Sequence, residues 1–151
     1  MISKATEEYL KTIYVLYKQK GSIRVTDIAD KMNCSKPSVT KQLNILESSG
    51  LIDYKSYGDI KLTDSGLMYA KKILADYDIL YILLNNIIGV DEETAKEDAS
   101  KIKSVISEES LNKISSYIYD VLDLHNLNCN FNIRNESCRA CISKKGSKLV
   151  W

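Results

Sequence analysis

The chain contains a single proline, and its position constrains the fold more than any other residue. Proline has no amide hydrogen to give and its ring crowds the preceding turn, so a helical chain tolerates it in the first turn of a helix. Pro37 stands two residues after Ser35, which sits just before the helix. From there Val39, Leu43 and Leu46 recur on one arc of a helix that reaches about Ser49 and stops at Gly50. Upstream, Thr26 is placed to cap a short helix over Asp27–Met32, and Asn33 and Cys34 supply the turn between the two. Two short helices joined by a tight turn make a helix-turn-helix.

The flanking segments complete this unit. Thr6 is expected to cap a first helix, with Glu7 and Glu8 at the positive end of its dipole. Tyr9, Leu10, Ile13, Tyr14 and Tyr17 form its apolar face, and Gly21 its stop. Downstream, residues 51–55 and 60–62 alternate on either side of the polar turn Ser56-Tyr57-Gly58-Asp59, which predicts a small β-hairpin. Thr63 then opens a long helix expected to continue to Ile88 and stop at Gly89. Along it Leu67, Ala70, Leu74, Tyr77, Tyr81, Leu84 and Ile88 alternate at spacings of three and four, a heptad seam that calls for another helix. Asp91 and Ser107 cap two further helices, with Ala95, Ala99, Ile102 and Ile106 inward on one and Leu111, Ile114, Ile118 and Val121 on the other. The fold class is therefore mainly α. A winged helix-turn-helix occupies residues 1–65, a helical domain 66–123, and a polar tail without periodicity 124–151.

With 44% hydrophobic and 27% charged residues, the chain is expected to be compact rather than disordered. It has no apolar run long enough to span a bilayer and no signal-peptide pattern, so a cytoplasmic protein with no membrane partner is expected. The net charge of +1 conceals a segregation. Residues 1–72 carry 12 Lys/Arg against 8 Asp/Glu, residues 73–124 carry 4 against 11, and the remainder 5 against 1. A basic front and an acidic middle predict that only one end meets a polyanion. Catalysis is not expected. There is no phosphate-cradling glycine loop, and Glu92-Glu93 and Glu108-Glu109 stand at helix starts, where the dipole accounts for them.

The Pro-started helix also carries the functional signal. Opposite its aliphatic stripe lie Pro37, Lys41, Asn44 and Ser48, with Thr40 on the flank. A helix that buries one stripe and offers short polar groups on the other side suits the major groove of double-stranded DNA. Ser35, Lys36 and Ser38 at its start are placed to hold phosphates, helped by free backbone amides. Lys55 and Lys61 on the hairpin are placed to touch the flanking backbone. Cys34, in the turn, reads as a small buried filler.

These motifs resemble the iron- and manganese-dependent repressors of the diphtheria toxin repressor family, and most of all its manganese-transport regulators. The matching stretches are Glu8-Tyr9-Leu10 with Ile13-Tyr14, Arg24-Val25-Thr26-Asp27-Ile28-Ala29, Pro37-Ser38-Val39-Thr40-Lys41, Leu62-Thr63 and Ile87-Ile88-Gly89-Val90-Asp91-Glu92-Glu93. The resemblance implies that the helical domain is a dimerisation domain and that a homodimer binds a palindromic operator as a repressor. It also implies a metal sensor, whose positions fall here on Glu8, Lys11, Asp78, Ser100, Lys103 and Ser104. The family pattern wants carboxylates, His, Met or Cys there. Lys11 and Lys103 instead bring ammonium groups, which oppose a divalent cation. Manganese or iron is therefore not expected at this site, and an ion-pair replacement is.

The tail offers a second constellation. The chain's one His and three of its four Cys form the pattern His125-x3-Cys129-x8-Cys138-x2-Cys141. Four such ligands suit tetrahedral zinc or an iron–sulfur cluster, and free thiols are the bland alternative. Arg134, Arg139, Lys144 and Lys145 lie near enough in sequence to offset thiolate charge. Two readings of the chain follow: a metal-responsive repressor of the family type, or the same fold sensing through this tail or through a small molecule.

Overall fold

Ser3, not Thr6, starts the first helix. In the computed structural model, which describes residues 2–55 and 58–122, α1 spans Lys4–Lys20 and the Ser3 hydroxyl accepts the Thr6 amide. Lys4 and Ala5 are good helix formers, so the helix begins earlier than the expected cap. Thr6 instead ties α1 to a later helix. It is buried, and its Oγ1 donates to Gln42 Oε1 at 2.9 Å.

Next come α2 (Val25–Met32) and α3 (Lys36–Ser48). Thr26 lies inside α2 rather than capping it. The Asp27 carboxylate reaches back to the Arg24 amide at 2.9 Å, half of a capping box, and this fixes the start of α2. Asn33 ends α2 at φ 49°, a left-handed conformation that asparagine tolerates. Ser35 caps α3, its Oγ accepting the Ser38 amide at 3.4 Å, and Pro37 stands in the first turn as expected. Val39, Leu43 and Leu46 are each 0% exposed, so the predicted stripe is fully buried. Gly50, at φ 69°, turns the chain out of α3 where a side chain would be strained.

The hairpin is shorter than the alternation predicted. β1 (Ile52–Asp53) pairs antiparallel with β2 (Lys61–Leu62), Ile52 opposite Leu62 and Asp53 opposite Lys61. Its base is tied by other bonds. The Ile60 amide donates to the Ile23 carbonyl at 3.2 Å, Ser22 Oγ to Asp59 Oδ1 at 3.1 Å, and the Thr63 amide to the Leu51 carbonyl at 3.1 Å. Buried Leu10, Ile13, Ile23, Ile28, Leu43 and Ile52 bring helices and hairpin onto one core. This is the first of two compact units, Met1–Ile73 and Leu74–Trp151, and the division falls within α4 (Asp64–Tyr81).

In the second unit, α4 gives way to a π-helical stretch, Ile82–Ile88, followed by α5 (Glu92–Lys103) and α6 (Glu108–Val121). Tyr77, Leu80, Tyr81, Ile82, Ala95, Ala99, Leu111 and Ile118 form its core. Tyr77 and Tyr81 stack with ring centroids 6.4 Å apart. The heptad seam is buried from Ala70 through Tyr81 and Leu84 still packs on the core, but it does not hold to its end, where Ile88 is 61% exposed. The i→i+5 bonding of the π stretch winds more residues into each turn and carries later side chains off the seam. Two other expected inward residues also face solvent. On α1 Tyr17 is exposed and Leu16 is buried instead, and on α6 Val121 is exposed.

Candidate nucleic-acid interface

Residues four apart on a helix stand one above another, so the exposed side of α3 carries two parallel rows. One is Lys36, Thr40, Asn44, Ser48, and the other is Pro37, Lys41, Ile45. Lys36, Pro37, Thr40, Lys41, Asn44 and Ile45 line one shallow open depression. The donor inventory there is narrower than the sequence suggested. Thr40 Oγ1 donates to the Lys36 carbonyl at 3.0 Å and Ser48 Oγ to the Asn44 carbonyl at 2.7 Å. Both hydroxyl hydrogens are thus committed to the helix itself. The side-chain donors left to face a base or phosphate are the Lys36 and Lys41 ammonium groups and the Asn44 amide.

The start of α3 is likewise partly satisfied from within. The Ser35 and Ser38 hydroxyls lie 2.9 Å apart, and Ser35 takes the Ser38 amide while its carbonyl takes the Val39 amide. Pro37 has no amide to offer, so the Ser35 and Lys36 amides are what remain of the expected set of free backbone donors. Lys36, Lys41, Lys55 and Lys61 are all exposed, and among the described residues none forms an ion pair with a carboxylate. Lys61 stands across the hairpin from Asp53, which partly offsets the charge of the wing.

The remainder of the unit holds this surface in place. The Thr6–Gln42 bond links α1 to the residue beside Lys41. The Tyr9 hydroxyl donates to Cys34 Sγ at 3.5 Å, tying α1 to the turn, so Cys34 is half-buried and hydrogen-bonded rather than a buried filler. That bond, reinforced by burial, raises the Tyr9 hydroxyl above the usual tyrosine range. At the start of α2, the Lys20 ammonium 2.6 Å away and then the Arg24 amide hold the Asp27 carboxyl below its ordinary range.

Sequence reasoning passed over Ile45. It is 39% exposed among the cations, although its spacing of four from Lys41 and eight from Pro37 marks it as a member of the outward row.

The expected metal-sensing positions fall in both units. In the first, Lys11 Nζ is paired with Glu8 Oε2. In the second, Asp78 is fully buried, Ser100 is exposed, and the Ser104 hydroxyl donates to the Lys101 carbonyl at 2.7 Å. A carboxylate already paired with lysine, an ammonium group and an alcohol spent on its own helix are a poor set for manganese or iron, whose sites are built from carboxylate, carbonyl and imidazole donors. Among the described residues no group of three or more His, Cys, Asp or Glu is arranged to hold a metal ion. His125, Cys129, Cys138 and Cys141 lie outside the described residues.

A three-helix core, a capped helix aligned behind a short turn, and a hairpin wing with exposed lysines define a winged helix-turn-helix regulator. Residues 1–60 match the family described as the iron dependent repressor, N-terminal DNA binding domain, and residues 63–121 its metal binding and dimerisation domain. The chain belongs to the iron-dependent repressor family, whose members are transcriptional regulators. It is 33% identical over 118 residues to an uncharacterised helix-turn-helix transcriptional regulator of Methanocaldococcus jannaschii, covering 78% of this chain and 94% of that one. It is 32% identical to the transcriptional regulator MntR of Bacillus subtilis, covering 78% and 82%. Among solved structures it superposes on T. acidophilum IdeR with a TM-score of 0.64 at 29% identity, covering 78% of this chain. The chain spans about half of that protein, 54% of its length. Among the described residues no helix is long and apolar enough to cross a membrane.

Proposed function

We propose that the protein is a homodimeric repressor that lays α3 of each protomer in the major groove of a palindromic operator. Lys41 and Asn44 read base edges, Lys36 holds phosphates together with the one hydroxyl hydrogen that the Ser35–Ser38 pair leaves over, and Lys55 and Lys61 touch the flanking backbone. The observation that carries this reading is α3 itself. Its inner side is three fully buried aliphatic residues, and its outer side holds two lysines with no carboxylate partner among the described residues. Unpaired cations on an exposed helix face gain most from a polyanion, which releases its condensed counterions on binding.

Self-association is supported by α6, where Tyr117 and Val121, four apart, are 53% and 45% exposed beside the core of the second unit. Large apolar neighbours on one helix face mark a contact surface. Two-fold helix-turn-helix dimers meet half-sites about 34–36 Å apart, one turn of the duplex, and that spacing is expected of the operator. At the family's metal positions, the Glu8–Lys11 pair and the alcohols of Ser100 and Ser104 support operator binding that does not depend on manganese or iron there. The spacing of His125, Cys129, Cys138 and Cys141 supports the tail as an alternative seat for zinc or an iron–sulfur cluster.

The test is fluorescence anisotropy of a palindromic duplex selected from a random pool, titrated over a salt series with and without chelator. Three phosphate-contacting lysines on each of two protomers predict a log–log salt slope of about −5. Affinity is expected to be unchanged when manganese is removed or added. A flat salt response would remove the DNA-binding reading, and strict dependence on manganese would remove the metal-independent one. Metal analysis of anaerobically purified protein, with Cys138→Ser as control, decides the tail.

A further inference from the structure

Resting on the reading of α3 as the helix in the groove, we propose that Ile45 is a base-reading residue that selects thymine through its C5-methyl group. Ile45 is 39% exposed, whereas Val39, Leu43 and Leu46 on the far side of the same helix are 0% exposed. Part of its hydrocarbon is therefore open to a partner. It shares the depression lined by Lys36, Pro37, Thr40, Lys41 and Asn44, so whatever fills that depression meets a hydrocarbon surface beside two cations. Among the described residues, Tyr17 and Met68, the other exposed large apolar residues of this unit, stand on α1 and α4 and not among the α3 lysines.

The chemistry of the groove supplies one match. Of the four bases only thymine presents an apolar group to the major groove, its C5-methyl, while the other edges there are donors and acceptors. Isoleucine is β-branched and close to single-rotamer in a helix, so its methyls are held ready with little entropy to lose. Lys41, one helical turn earlier in the same row, suits guanine O6 and N7. Four residues of helix rise span about 6 Å, one to two base-pair steps. The row Pro37, Lys41, Ile45 thus predicts a half-site in which a guanine under Lys41 lies one or two steps from a thymine under Ile45.

The experiment changes the DNA first and the protein second. In the duplex selected by the wild-type protein, each thymine is replaced in turn by deoxyuridine, which removes the methyl group and leaves every hydrogen-bonding edge unchanged. Burying a methyl-sized group is worth about 0.8 kcal/mol, so affinity is expected to fall about fourfold at one position per half-site and about fifteenfold when both half-sites are changed. The Ile45→Ala protein is expected to show no loss at that position while keeping the wild-type salt slope. If no uracil substitution weakens the wild-type protein, or if Ile45→Ala has the wild-type uracil profile, the assignment is wrong although DNA binding stands. If the wild-type protein binds no duplex in a salt-dependent way, the underlying reading fails and this one with it.

Discussion

Replacing Gly66 by alanine should destabilise the first unit, although helix propensity alone predicts the opposite. Gly66 lies in the first turn of α4 and is buried, and alanine is favoured over glycine inside a helix by about 1 kcal/mol. A Cβ at this position would stand 1.8 Å from the Leu51 carbonyl oxygen and 2.8 Å from its carbon. Reaching even a tight 3.0 Å requires a shift of about 1.2 Å, and the obstacle is backbone rather than a pliable side chain. The same carbonyl accepts the Thr63 amide at 3.1 Å, and the Leu51 amide donates to the Leu46 carbonyl at 3.0 Å. Moving it therefore loosens both the start of α4 and the end of α3. Overpacking of this kind costs about 1–3 kcal/mol, a strained or lost hydrogen bond about 1 more, and the propensity gain offsets at most about 1. The net loss is about 2 kcal/mol. With an m-value of about 2 kcal/mol/M, the urea midpoint should fall by about 1 M. Hydrogen exchange at the Thr63 amide should quicken, and because Lys61 lies two residues upstream, the salt slope of DNA binding should become shallower. An unchanged or higher urea midpoint would refute the argument, since it would mean that α4 does not start against the Leu51 backbone.

Lys36→Ala and Lys41→Ala should fail differently. The first should weaken binding to operator and random duplex alike and reduce the salt slope by about one per contact removed, while the second should cost about 1–3 kcal/mol on the operator alone, read as a lower specificity ratio in competition titrations. Asp27→Ala should cost about 1 kcal/mol at neutral pH by removing a helix cap and the Lys20 partner. Because the folded-state Asp27 carboxyl titrates below its unfolded value, this contribution is fully present above the unfolded pKa and is lost as pH falls through the folded one. The gap between wild type and Asp27→Ala in urea midpoint should therefore close below about pH 4. Tyr117→Glu with Val121→Glu should leave the helical circular dichroism intact and convert a dimer to monomer in sedimentation velocity, with operator affinity lost and weak nonspecific binding retained.

What proved legible in the sequence were choices settled within a few residues of the chain. Pro37 and Ser35 placed α3, the Val39, Leu43, Leu46 spacing marked its buried side, and Gly50 and Gly89 marked the stops. Errors arose where a residue's role depended on a partner remote in sequence. Thr6 reads as a good cap, yet its hydroxyl bonds Gln42, 36 residues away, and Ser3 caps instead. The heptad pattern assumed one winding to Ile88, whereas the helix changes to i→i+5 bonding after Tyr81. The signal was faint: Asn85 and Asn86 interrupt an aliphatic run, and Asn85 Nδ2 donates to the Val90 carbonyl at 2.8 Å as the helix closes. Tyr17 and Val121 fit the apolar periodicity of their helices and are nevertheless exposed, because periodicity identifies a face but not how far a partner covers it.

The same distinction governs the candidate site. A helical wheel shows hydroxyls, amines and amides on the outer side of α3 as though all were equally available. Two of those hydroxyls, on Thr40 and Ser48, close bonds to carbonyls four residues back, and two more, on Ser35 and Ser38, face one another across the cap. In the proposed reading, discrimination among base edges therefore rests on fewer groups than the composition of the helix implies: the Lys41 ammonium, the Asn44 amide and the hydrocarbon of Ile45. Each would address a different feature of the groove, the guanine acceptors, the adenine edge and the thymine methyl. If the proposed homodimer forms, three unlike probes on each α3 would be enough to define a short half-site, and the spacing of the two half-sites would supply the remaining specificity without adding contacts.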